Sequence, residues 1–215
     1  MDNRQCPQYV PQTESIGLPI ADAQVHAEVH YLFKPETFEA LYGSPLYFLQ
    51  EIRRPGRAPD TWHAAEYSRC EHQFAMSLSA AIEPYPFDAI VCVPTSHPCL
   101  QTAYREAVLR LNRTAIDYTS CIRRIDPSSP GTTLEERVRN LQLDTQVIPN
   151  DLRLLVIDDV FTTGSSAAAV MRRFQLSHMQ TCSFRLAFPL WMQPGLGNPM
   201  RRLLQLVKQM PNEAD

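Results

Sequence analysis

Apolar and polar residues alternate from Gln24 to Phe33. Val25, Ala27, Val29, Tyr31 and Phe33 fall on one side, His26, Glu28 and His30 on the other. That period of two predicts a β-strand with one covered face, the polar trio meeting solvent rather than a metal. Two later runs do not alternate: Ala89 to Val93 and Leu154 to Ile157 are apolar throughout, as in strands buried on both faces of a parallel sheet. Ile116 to Ile122 and Cys182 to Phe188 complete the strand set.

Helical signals separate these runs. Pro35 to Leu41 closes at Gly43, and Ser44-Pro45 offers an N-cap and first-turn proline for a helix over Leu46 to Arg53. After the Pro55-Gly56 turn, Asp60 can cap a long helix reaching about Ile82. Leu100 to Leu111 carries an apolar stripe of Ala103, Ala107 and Leu111. Thr133-Leu134-Glu135-Glu136 reads as a capping box opening a helix toward Leu141. Ala167 to Phe174 and Met200 to Lys208 are the remaining helical stretches. Strands alternating with helices predict an α/β fold, a doubly wound and mostly parallel sheet with an N-terminal, mostly helical flank or hood. The expected organisation is a loose arm over 1–22, the flank over 23–84, the α/β core over 85–190 and a tail with a helix over 191–215.

Composition narrows the setting. A net charge of −3 and a pI near 6.1 give no pull toward nucleic acid or an anionic membrane. No apolar run approaches the ~20 residues of a membrane span, and Met1-Asp2-Asn3-Arg4-Gln5 begins no signal peptide. Six cysteines without a CxxC pair read as reduced thiols, so a cytoplasmic location is expected. A homodimer is compatible with this picture.

The chemistry concentrates in Leu154-Leu155-Val156-Ile157-Asp158-Asp159-Val160-Phe161-Thr162-Thr163-Gly164-Ser165-Ser166. A buried strand delivers two adjacent carboxylates to the C-terminal edge of its sheet, where open α/β folds bind ligands. A hydroxyl-rich turn around one glycine then opens a helix, whose N-terminus suits phosphate. Carboxylates repel phosphate, so Asp158 and Asp159 are expected to hold sugar hydroxyls or a hydrated divalent cation. A strand ending in an ordinary capped helix is the plainer alternative, with Thr162 or Ser165 as the cap. Capping accounts for one hydroxyl, not for four hydroxyls, a glycine and two acids together.

This stretch resembles the PRPP-binding signature of the type I phosphoribosyltransferases. The resemblance implies that Asp158 and Asp159 face the ribose 2- and 3-hydroxyls and hold Mg2+ through water. Thr162, Thr163, Gly164, Ser165 and Ser166 would wrap the 5-phosphate. The loop after the first buried strand, Pro94-Thr95-Ser96-His97-Pro98, offers Thr95, Ser96 and His97 to pyrophosphate. Arg123 and Arg124 precede a Ser/Pro/Thr-rich loop over 124–132, and Leu134-x-Glu136-Arg137-x-x-Asn140 follows it. Arginines flanking a polar loop suit a lid over a polyanion, with Arg123 and Arg137 on pyrophosphate and Arg124 at the reacting centre. This order, with Val93-Pro94 upstream, resembles the ComF-like branch. The chain departs from that branch by lacking its N-terminal cysteine-rich zinc module and its Arg-Gly-Phe-Asn-Gln run.

The expected activity is Mg2+-dependent transfer of phosphoribose from PRPP to a nitrogen nucleophile, a small-molecule acceptor such as a nucleobase, with release of pyrophosphate. The competing expectation is a non-catalytic PRPP- or nucleotide-binding accessory protein. A receiver-like acid pair fits less well, because those acids sit at an early strand. Neither GxGxxG nor a Walker lysine points to dinucleotides or nucleoside triphosphates. Phe188 and Trp191 are candidates for an apolar wall under the acceptor or for plain core packing.

Overall fold

The computed structural model describes residues 9–20, 23–37, 40, 61–95, 101–128, 131, 133–144, 149, 151–176 and 183–191. The helix expected at 35–41 is described only at 35–37 and 40, of which 35–37 are not helical, and those at 46–53 and 200–208 lie outside the described residues. The first strands are β1 (Gln12–Ile20) and β2 (Ala23–Phe33), followed by helix α1 (Thr61–Ile82). Then come β3 (Ala89–Cys92), α2 (Gln101–Leu111), β4 (Ile116–Asp117), a 3-10 turn (Thr119–Cys121) and β5 (Ile122–Arg124). The last group is α3 (Leu134–Arg139), β6 (Leu141–Leu143), β7 (Arg153–Ile157), β8 (Val160–Phe161), α4 (Ser165–Leu176) and β9 (Ser183–Trp191).

Seven strands form one sheet in the order β1-β2-β9-β7-β3-β4, with β8 pairing alongside the end of β9. Every pairing is parallel except β1 with β2. The sheet is therefore mostly parallel, with helices on both faces. Strand β7 explains its own sequence. Leu154 and Val156 pack on the α4 side with Met171 and Phe174, whereas Leu155 and Ile157 pack on the α1/α2 side with Phe74, Leu78 and Tyr104. Both faces are dry from Leu154 to Ile157, so none of those four positions tolerates a polar residue, and the one charged residue of β7, Arg153, sits at its exposed start. Each such side chain contributes about 1.5–3 kcal/mol by leaving water.

Several expectations are corrected. Residues 12–20 are not a loose arm: β1 pairs with β2 along its whole length, and Leu18 is buried. Its polar residues are tolerated because an edge strand needs only one dry face. Strand β2 lies inside the sheet beside β9, so the flank is not detached from the core. Of the polar trio on β2, His26 is exposed as expected and Glu28 partly so, but His30 is not. His30 is fully buried, accepts or shares a hydrogen bond with Thr13, and packs 4.8 Å from the Tyr85 ring, while Glu28 pairs with Arg185. Burial and the Arg185 charge push His30 down to about 4, so it stays neutral.

The strand expected over 116–122 breaks after two residues, because Asp117 accepts the Thr119 N–H and turns the chain out of the sheet. Of the stripe expected on α2, Ala107 is buried and Ala103 packs against the core, but Leu111 is exposed, and Gln101, Tyr104 and Val108 complete the buried face. Among the described residues no helix is long and apolar enough to cross a membrane.

Candidate functional site

Strand β7 carries its ladder one residue beyond Ile157, with the Asp158 N–H donating to the Ala187 carbonyl at 3.0 Å. Asp158 and Asp159 therefore emerge at the C-terminal edge of the parallel sheet, as expected. Phe161 turns back into the core, 5 % exposed and stacked on Phe188 at 4.6 Å. Phe188 and Trp191 belong to that same aromatic cluster, so they are core residues. Thr162 and Thr163 are exposed, and Gly164 follows with φ +74°. A Cβ there would stand 2.6 Å from Leu18 Cδ2 and 2.8 Å from the Phe161 ring. The turn thus needs glycine twice, for its left-handed backbone and for the side chains beneath it. Ser165 and Ser166 open α4, whose first-turn N–H groups lack intrahelical acceptors. The Thr163 and Ser165 hydroxyls share a 2.8 Å hydrogen bond.

Two amides with no role expected of them, Gln101 and Asn140, organise the acids and the arginine-flanked loop. Gln101, the first residue of α2 and 4 % exposed, donates from Nε2 to the Val93 carbonyl at 3.0 Å and to Asp158 Oδ1 at 3.4 Å. It ties the end of β3 to the end of β7. Asn140 closes that loop: its Oδ1 accepts the Asp126 N–H at 2.7 Å, and its Nδ2 donates to the Asp126 carbonyl at 2.8 Å. The segment expected to be a lid is a hairpin of antiparallel β5 and β6 with α3 between them. Thr133 and Glu136 form the expected capping box; the return strand β6 was not anticipated.

Electrostatics set the acids apart from surface carboxylates. Burial and the adjacent Asp159 charge push Asp158 up to about 7, against the Asp159 N–H, the Gln101 amide and Arg124. Asp159 is 6 % exposed, and its charge helps to raise Cys92 and Tyr104, after burial. Arg124 is depressed by burial and by Arg137, and Asp158 opposes this.

Arg124 borders two recesses. A small one is lined by Val93, Pro94, Arg124, Arg137, Asn140 and Ser166, with Leu141, Ala169 and Val170. There Arg137 Nη1 donates to Ser166 Oγ at 3.0 Å, and the buried Arg137 Nε has no hydrogen-bond partner. The second is an open cleft of about 360 Å3 that takes in Thr95, Gln101, Thr119, Arg123 and Arg124. Arg123 is exposed and pairs with Asp144 at 3.4 Å. Ser96 and His97 lie outside the described residues. The structure thus gathers Asp158, Asp159, Thr162 to Ser166, Thr95, Arg123, Arg124 and Arg137 around one sheet edge. Among the described residues no group of three His, Cys, Asp or Glu side chains could enclose a metal.

No protein-family profile and no curated protein matches the chain. Similar solved structures include an adenine phosphoribosyltransferase at 17% identity and TM-score 0.39, covering 85% of this chain and 86% of that one. Another is the adenine phosphoribosyltransferase of Saccharomyces cerevisiae, complexed with an imino-altritol bisphosphate and adenine. It is similar at 15% identity and TM-score 0.36, over 84% of each chain.

Proposed function

We propose that the protein is a Mg2+-dependent phosphoribosyltransferase that transfers phosphoribose from PRPP to a nitrogen nucleophile and releases pyrophosphate. One observation carries the reading. The acid pair and the Thr162–Ser166 turn follow one another at the C-terminal edge of a parallel strand, with Gly164 at φ +74° holding the turn open. A phosphorylated sugar needs both halves, hydroxyl acceptors and a phosphate cradle, at this spacing.

In this reading Asp158 and Asp159 bind the ribose hydroxyls and orient the sugar. The hydroxyls and N–H groups of Thr162 to Ser166 anchor the 5-phosphate, so binding at a non-reacting end positions C1. Thr95, with Ser96, His97 and Arg123, receives the pyrophosphate, and Arg124 faces the charge that builds on it. Hydrated Mg2+ fits the donor set. Two adjacent carboxylates, one pushed up to about 7, are relieved by a cation that keeps several of its waters. When bound, the ion supplies charge neutralisation for the leaving group. The acceptor is a small nitrogenous molecule, and the setting is cytoplasmic.

Calorimetric titration of PRPP with Mg2+ tests the site. Binding should be lost in Asp158→Asn and Asp159→Asn, and unchanged affinity in both would overturn the assignment. Pyrophosphate release over a panel of nitrogenous bases then tests catalysis. Binding without turnover on any acceptor would favour a PRPP-binding accessory role.

A further inference from the structure

Arg137, expected on pyrophosphate, borders a different recess from Thr95. It does not line the cleft that holds Thr95; it lines the small recess beside α4, where it donates to Ser166 Oγ, the last hydroxyl of the phosphate turn. Its Nε is buried there without an acceptor. Arg124 lines the same recess, close enough for each guanidinium charge to oppose the other. None of the residues around the recess is a carboxylate. Asn140 fixes this meeting, because its clasp on Asp126 holds the strand bearing Arg124 against the end of the helix bearing Arg137. Two half-buried cations with one buried, idle N–H donor, and no acid lining the recess between them, make an arrangement that an anion completes.

We propose that Arg137 is a ligand of the donor's 5-phosphate rather than of its pyrophosphate, so that the lid is latched by the end of the donor that does not react. This rests on the phosphoribosyl reading above. The phosphate sits between the Thr162–Ser166 turn and Arg137, accepting from the idle Nε. Arg124, shared by both recesses, spans from the 5-phosphate side toward Asp158. A donor without a 5-phosphate then loses the latch as well as the cradle, so phosphate occupancy and lid closure become one event. Phosphate binding energy is thereby spent on enclosing the reacting carbon.

Separate fragments of the donor test this. Ribose 5-phosphate and Mg2+–pyrophosphate are titrated against the wild type, Arg137→Gln and Arg137→Lys, with ribose as the unphosphorylated control. Gln keeps a donor for Ser166 without the charge, and Lys keeps the charge without the fork. Expected is at least a tenfold loss of ribose 5-phosphate affinity in Arg137→Gln, partial recovery in Arg137→Lys and pyrophosphate affinity within twofold of wild type. Circular dichroism and the thermal midpoint of each variant establish folding, and a folded Arg137→Lys suffices if Arg137→Gln is not folded. Loss confined to pyrophosphate, equal loss of both or loss of neither would overturn the assignment while leaving the phosphoribosyl reading intact. Wild-type protein that binds neither fragment would remove both.

Discussion

Asp158→Asn should make the protein more stable while abolishing its proposed ligand binding. The native carboxyl is pushed from an ordinary 3.8 up to about 7. The native state therefore holds its proton where the unfolded chain has released it, and wild-type stability falls as pH rises from about 4 to about 7. Above that window the loss is complete and constant. At 1.36 kcal/mol per pH unit it amounts to at most about 4 kcal/mol. Asparagine keeps Oδ1, so it still accepts the Asp159 N–H and the Gln101 amide. It carries no charge to desolvate or to face Asp159. Urea denaturation in metal-free buffer should show a gain of about 2–4 kcal/mol for the variant at pH 8, shrinking toward zero at pH 4. At about 2–4 °C per kcal/mol for a chain of this size, the thermal midpoint at pH 8 rises by roughly 4–16 °C. No gain at pH 8, or a gain equal at both pH values, would refute the reasoning.

Gly164→Ala meets Leu18 and Phe161 and a backbone region that alanine avoids, so a loss of about 1–3 kcal/mol is expected by the same denaturation assay. Wild-type stability would show that the turn relaxes, against the close packing beneath it. Burial pushes the Cys92 thiol up to about 12, despite its place on the open cleft. Peptide mapping after iodoacetamide at pH 8 should find the Cys92 peptide unmodified in the native protein and alkylated after unfolding.

The legible parts of this molecule were those written in adjacent residues. Leu154 to Ile157 announced a doubly buried strand, and the acids, hydroxyls and glycine after it announced a ligand edge, because each element's chemistry lies within one local run. The capping box at Thr133 and Glu136 was local in the same way. What could not be read depended on distant partners. Gln12 to Ile20 looks like polar coil until β2 is set beside it. His30 follows an alternation that promises solvent, yet α1 and Tyr85 lie over that face. Gln101 and Asn140 are ordinary amides in sequence, and only tertiary contact gives one an acid and the other a clasp. Arg137 had the right charge, but its nearness to Ser166 depends on how the lid folds against α4.

The sheet order also bears on when this site can exist during synthesis. Strand β2 finds its parallel neighbour only in β9, as in Glu28 opposite Arg185, and Leu18 of the attached β1 lies under Gly164. A ribosome must therefore deliver almost all of the described chain before the phosphate turn has its floor. Until then the β1–β2 hairpin waits with an open edge, and such distant pairings are slow to close. The nascent protein would pass through a stage in which the acid pair has been made but the turn after it has no packed floor, and in which that edge is available to chaperones.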